Sequence, residues 1–100
     1  MYVVIWEYKV REGQEAEFER VYGPTGEWVA LFKEGDGYLG TELYRDEKYP
    51  RRYFTLDRWL SSRAYGTFKQ NHPGAYEALE ARGERLTEAE TYLGAFVGRS

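Results

Sequence analysis

The chain has 100 residues, enough for a single domain over 1–100 with a modest core, and Tyr, Phe and Trp make up 18% of it. Its 14 Lys and Arg face 17 Asp and Glu in interleaved order, as in Tyr44-Arg45-Asp46-Glu47-Lys48, without the basic face that nucleic-acid binders present. The lack of cysteine excludes disulfides, thiolate nucleophiles, iron–sulfur clusters and cysteine-ligated zinc, and no apolar run approaches the ~20 residues of a membrane span.

Residues 2–10 alternate as a strand, with Val4, Trp6, Tyr8 and Val10 on one face and Val3, Ile5, Glu7 and Lys9 on the other. Because the chain opens on this strand rather than on a leader, a soluble, cytoplasmic protein is expected. After the turn at Arg11-Glu12-Gly13, residues 14–22 read as a helix with Phe18, Val21 and Tyr22 on its apolar stripe. Glu15, Glu17 and Glu19 make its solvated side. Gly23-Pro24-Thr25-Gly26 breaks that helix, and residues 27–33 resume it with Trp28, Leu31 and Phe32. Residues 38–44 and 52–60 are strands joined by a polar hairpin loop. In the latter, Phe54, Leu56 and Leu60 oppose Tyr53, Thr55, Asp57 and Trp59. Ser61 or Ser62 caps the next helix, which carries Ala64, Tyr65 and Phe68 inward and is interrupted at Asn71-His72-Pro73-Gly74. Helix resumes over 75–85, and 90–97 is the last strand.

The order βαββαβ predicts an α+β, ferredoxin-like fold: a four-stranded antiparallel sheet with two broken helices on one face. Large side chains on both faces of the first, third and fourth strands would leave one apolar face wet in a monomer. A homodimer joined through that face is therefore expected.

Tyr53-Phe54-Thr55-Leu56-Asp57-Arg58-Trp59-Leu60-Ser61-Ser62-Arg63-Ala64-Tyr65, with Gly37-Tyr38-Leu39-Gly40 before the second strand, resembles the antibiotic biosynthesis monooxygenase family of dimeric α+β barrels. The resemblance implies a cofactor-independent monooxygenase-like protein acting on a small planar phenol or quinol, with no cofactor and no metal. In the family's cofactor-free oxygenases an Asn, a Trp and a Tyr surround the phenol at spacing Asn-x3-Trp-x5-Tyr. Trp59 and Tyr65 match the last two, and Thr55 stands at the Asn position. The haem-degrading branch uses an Asn, a Trp and a His where this chain has Trp6, Phe68 and Ala78, which disfavours that chemistry.

As catalytic candidates the sequence offers Trp59 to stack on a planar ligand, Tyr65 to bond a substrate oxygen, and His72 to act as base. Against these stand a core Trp, a rim Tyr and a His that caps a helix turn. Thr55, Asp57, Phe68 and Trp6 are expected around the substrate. Asp57 is read either as a structural ion pair with Arg52 or Arg82, or as a base in an apolar pocket. The alternative function is a non-catalytic dimer, either binding a small hydrophobic ligand or serving as a scaffold with its pocket filled by Trp6, Trp28 and Phe68.

Overall fold

Alternation is strict over residues 52–59, and the helix breaks are set by glycine and proline. A computed structural model of the protein describes residues 1–99. It runs β1 (Tyr2–Val10), α1 (Glu15–Tyr22), α2 (Glu27–Phe32), β2 (Tyr38–Arg45), β3 (Arg52–Trp59), α3 (Ser62–Asn71), α4 (Pro73–Leu86) and β4 (Thr87–Val97). The strands form one antiparallel sheet in the order β2-β3-β1-β4, the α+β ferredoxin-like arrangement expected from the sequence. Among the described residues no helix is long and apolar enough to cross a membrane.

Close backbone approaches explain the breaks. A Cβ on Gly26 would lie 2.3 Å from the Val21 carbonyl oxygen, so only glycine lets α2 start against the end of α1. Ser61 Oγ accepts the Ala64 N–H at 3.1 Å and caps α3. Pro73 occupies the first turn of α4, where its missing N–H costs nothing. That helix starts two residues earlier than expected.

A larger difference lies at its other end, where β4 begins at Thr87 rather than 90 and follows α4 with no loop. The Thr87 hydroxyl donates to the Gly83 carbonyl at 3.0 Å, satisfying the last helical turn while the backbone turns extended at once.

Burial alternates residue by residue along β3, with Tyr53, Thr55, Asp57 and Trp59 turned to the helices. Trp59 is fully buried, its ring centre 5.1–5.6 Å from those of Phe32, Tyr38, Tyr65 and Phe68. On the opposite face Val3, Ile5, Phe54 and Leu56 stay half-buried, and Tyr44 and Phe96 are 50% and 51% exposed.

Candidate functional site

Between the sheet and the helices lies a cavity of about 40 Å³. Its sheet side is built by Trp6 and Tyr8 of β1, Thr41 of β2, and Thr55 and Asp57 of β3. Tyr22, Trp28 and Phe32 close one helical side and Tyr65 and Tyr76 the other, with Glu80 and Glu90 at the mouth. The volume suits a few ordered waters, so a planar ring enters only if side chains such as the half-buried Trp6 and Tyr65 swing outward.

Asp57 is the unusual group. Only 8% of its surface is exposed, and neither arginine expected to pair with it does so. Arg52 bonds Glu7 at 2.8 Å and Asp46 at 2.7 Å, and Arg82 bonds Glu27 at 3.0 Å and Glu17 at 3.2 Å. The ion-pair expectation is thus replaced by a hydroxyl contact: Thr41 Oγ1 donates to Asp57 Oδ1 at 2.8 Å, and the Tyr38 hydroxyl lies 2.6 Å from Thr41 Oγ1. Burial pushes the Asp57 carboxyl from 3.8 up to about 6, the Thr41 bond partly opposing it.

Other polar atoms in the cavity are mostly paired with each other. The Tyr8 hydroxyl meets Thr55 Oγ1 at 3.2 Å, and the Tyr65 and Tyr76 hydroxyls meet at 3.3 Å. Tyr22 donates to Glu90 Oε1 at 3.3 Å. Burial raises the pKa of all these tyrosines, so each is a hydrogen-bond donor at neutral pH. Burial likewise lifts Glu80 and Glu90. Trp28 Nε1 is buried and among the described residues makes no hydrogen bond of ordinary length, with the Tyr22 hydroxyl as a weak partner.

Of the residues singled out from the sequence, Trp6, Thr55, Asp57 and Tyr65 come together on this cavity. Trp59 and Phe68 stand behind it, Trp59 supporting the Tyr65 ring at 5.4 Å. His72 lies apart, in a surface groove with Glu34, Ser61 and Arg63. There its ring stacks on Phe68 at 4.9 Å, its Nδ1 lies 3.0 Å from the Phe68 carbonyl oxygen, and its Nε2 is 3.8 Å from Glu34.

Thr41, Tyr76, Glu80 and Glu90 also line the cavity, though none of them was expected around a substrate. Tyr76 and Glu80 share a face of α4 by their i, i+4 spacing, which is a readable signal. Glu19, expected on the solvated side of α1, accepts the buried Tyr53 hydroxyl at 2.5 Å.

The family model for antibiotic biosynthesis monooxygenases matches residues 1–80. The solved structure of SnoaB, a cofactor-independent oxygenase from Streptomyces nogalater, superposes with a TM-score of 0.77 at 20% identity, over 99% of this chain and 93% of that one. A mutant form of SnoaB gives 0.81 at 21% identity with the same coverage. A conserved protein from Methanosarcina mazei Go1 gives 0.74 at 13% identity, over 98% of this chain and 92% of that one. At such identities these likenesses establish the fold alone. No curated protein matches the chain.

Proposed function

The chain belongs to the antibiotic biosynthesis monooxygenase family, and from that premise we propose that it is a cofactor-independent oxygenase acting on a small planar phenol or quinol. The observation carrying this reading is Asp57, a carboxylate facing a cavity of aromatic rings, with no cation beside it among the described residues and pushed up by burial to about 6. A base with that pKa accepts a proton near neutral pH and can return it later.

For a hydroxyanthrone the steps balance with dioxygen as the only oxidant. Asp57 takes a proton from the ring methylene, leaving a carbanion delocalised onto the ring oxygen. That anion passes one electron to O₂, and the resulting radicals combine into a carbon–oxygen bond. The peroxide takes back the proton from Asp57, its O–O bond breaks, the second hydrogen leaves the carbon, and quinone and water are released. In this reading a hydroxyl of the Tyr65–Tyr76 pair, whose oxygens lie 3.3 Å apart, donates to the ring oxygen as charge gathers there. Closure by the surrounding rings keeps water from the anion.

We further propose that the working unit is a homodimer joined through the outer sheet face, where Val3, Ile5, Phe54, Leu56, Tyr44 and Phe96 form the apolar surface.

Oxygen uptake by metal-free protein with hydroxyanthrones and naphthohydroquinones tests the reading. Asp57→Asn is expected to lower the rate by about a hundredfold or more, the usual range for a lost general base. Tyr65→Phe should lower it less, and His72→Ala should leave it near wild type. Uptake that survives Asp57→Asn would overturn the assignment. The small cavity favours a second reading, a dimer that binds a small hydrophobic ligand without turnover. A melting-temperature rise with no uptake would select that one.

A further inference from the structure

The charge in the cavity is one-sided. Asp57 lies at its floor and Glu80 and Glu90 at its mouth, and among the described residues no Lys or Arg lines it. Arg20 and Arg82, on the neighbouring helices, are held outside by Glu17 and Glu27. The Tyr76 hydroxyl feels Asp57, Glu80 and Glu90 together, so their fields add within this space. Yet among the described residues no group of acidic and histidine side chains is placed to hold a metal ion. A diffuse cation seated among rings is the better match. The Tyr65 ring already takes an ammonium, from Lys69 Nζ at 4.4 Å, and that same ammonium partly offsets the charge of Glu80.

A second, independent feature concerns oxygen. Trp28 lines the same cavity and is over nine-tenths buried, and among the described residues its Nε1–H makes no hydrogen bond of ordinary length, the Tyr22 hydroxyl being only a weak partner. A buried donor left unpaired is costly, and a ligand oxygen would satisfy it.

We propose that this cavity selects phenols that carry a basic nitrogen, with the ring oxygen inside toward Trp28 and the ammonium at the mouth between Glu80 and Glu90. Phenols bearing a carboxylate, sulfate or phosphate are rejected by the same charges. The inference rests on the cavity being a ligand site, as argued above, but not on turnover there.

Three single-ring phenols of similar size separate the outcomes: tyramine is cationic, 4-ethylphenol neutral and 4-hydroxyphenylacetate anionic. Each is titrated into the protein at pH 8, where Asp57 is ionised, by calorimetry and by tryptophan fluorescence. Tyramine is expected to bind tightest, at least about tenfold tighter than 4-hydroxyphenylacetate, with the gap narrowing as salt is raised. Glu80→Gln and Glu90→Gln should each shrink that gap. Equal affinities, the reverse order, or no binding by any of the three would overturn the inference, and the wild-type series alone suffices if a variant fails to fold. Oxygen uptake is read separately. Ordered binding without uptake with any phenol or quinol overturns the oxygenase reading and keeps this one, and uptake without charge order does the opposite.

Discussion

Replacing Asp57 by Asn should make the protein more stable at pH 8, the opposite of what loss of a buried, hydrogen-bonded carboxylate normally does. Raising a carboxyl from 3.8 to about 6 means the ionised form is disfavoured in the fold by about 3 kcal/mol. Between those two values the folded chain binds more protons than the unfolded one, so raising the pH favours unfolding. The stabilising contribution of neutral Asp57 is complete below 3.8 and gone above about 6. Asn keeps an oxygen for the Thr41 hydroxyl, now 2.8 Å from Asp57 Oδ1, and carries no charge. Allowing about 1 kcal/mol for the amide N–H₂ left in the cavity, the net gain at pH 8 is about 2 kcal/mol, a Tm rise on the order of 10 °C. Glu17, Glu27 and Asp46 have lowered pKa values and impose the opposite slope on both proteins. The difference between the two therefore isolates Asp57. Urea unfolding of both from pH 4 to 8 measures it, with the carboxyl followed directly by carbon NMR. A variant less stable than wild type at pH 8, or a stability difference flat across this range, refutes the reasoning.

Trp59→Ala should cost about 3–5 kcal/mol in urea unfolding, because a fully buried indole leaves a cavity ringed by other aromatics that cannot collapse. Two helical glycines should respond in opposite directions. Gly66 in α3 has nothing within 4 Å of a built Cβ, so Gly66→Ala should stabilise by about 0.5–1 kcal/mol through helix propensity. A Cβ on Gly83 in α4 would fall 2.0 Å from the Tyr22 hydroxyl and 2.9 Å from Glu90 Oε1. Gly83→Ala should therefore destabilise by about 1–3 kcal/mol despite the same propensity gain. If the outer sheet face joins two copies, dilution should lower the Tm, and Leu56→Glu should give a monomer in sedimentation. A concentration-independent melt would refute the dimer.

The strand β3 was legible because period-two burial leaves a plain trace, and that trace also turned Asp57 inward. Its lack of a cation was not legible. Arg52 is close in sequence, yet the antiparallel register sets Lys9 opposite it and brings Glu7 within reach on the other face of the sheet. Thr41 was missed for a related reason. Tyr38 and Thr41 are three apart, so simple alternation puts them on opposite faces. A register shift between Tyr38 and Gly40, with Gly40 at φ 140°, returns both to the face shared with Trp59 and Asp57. A second shift, between Ile5 and Trp6, sets Trp6 opposite Tyr92 of β4. His72 drew attention as the only imidazole, but the Pro73 break turns its ring onto Phe68 and away from the cavity. Chemistry alone cannot locate a side chain at a helix break.

Aromatic composition and the behaviour of Asp57 have a common cause. A tyrosine buries a ring and still delivers a hydroxyl, so the cavity walls supply hydrogen bonds without supplying charge. An arginine beside Asp57 would hold the carboxyl ionised and well below neutrality. Thr41 gives it one hydroxyl donor instead and leaves it at about 6. The acidic residues outside the cavity serve the same end: Glu17 and Glu27 occupy Arg20 and Arg82. Exposed pairs of this kind add little to stability. Their effect on the site is larger, because an arginine already bound at the surface is not free to neutralise the one buried carboxylate on which the proposed chemistry depends.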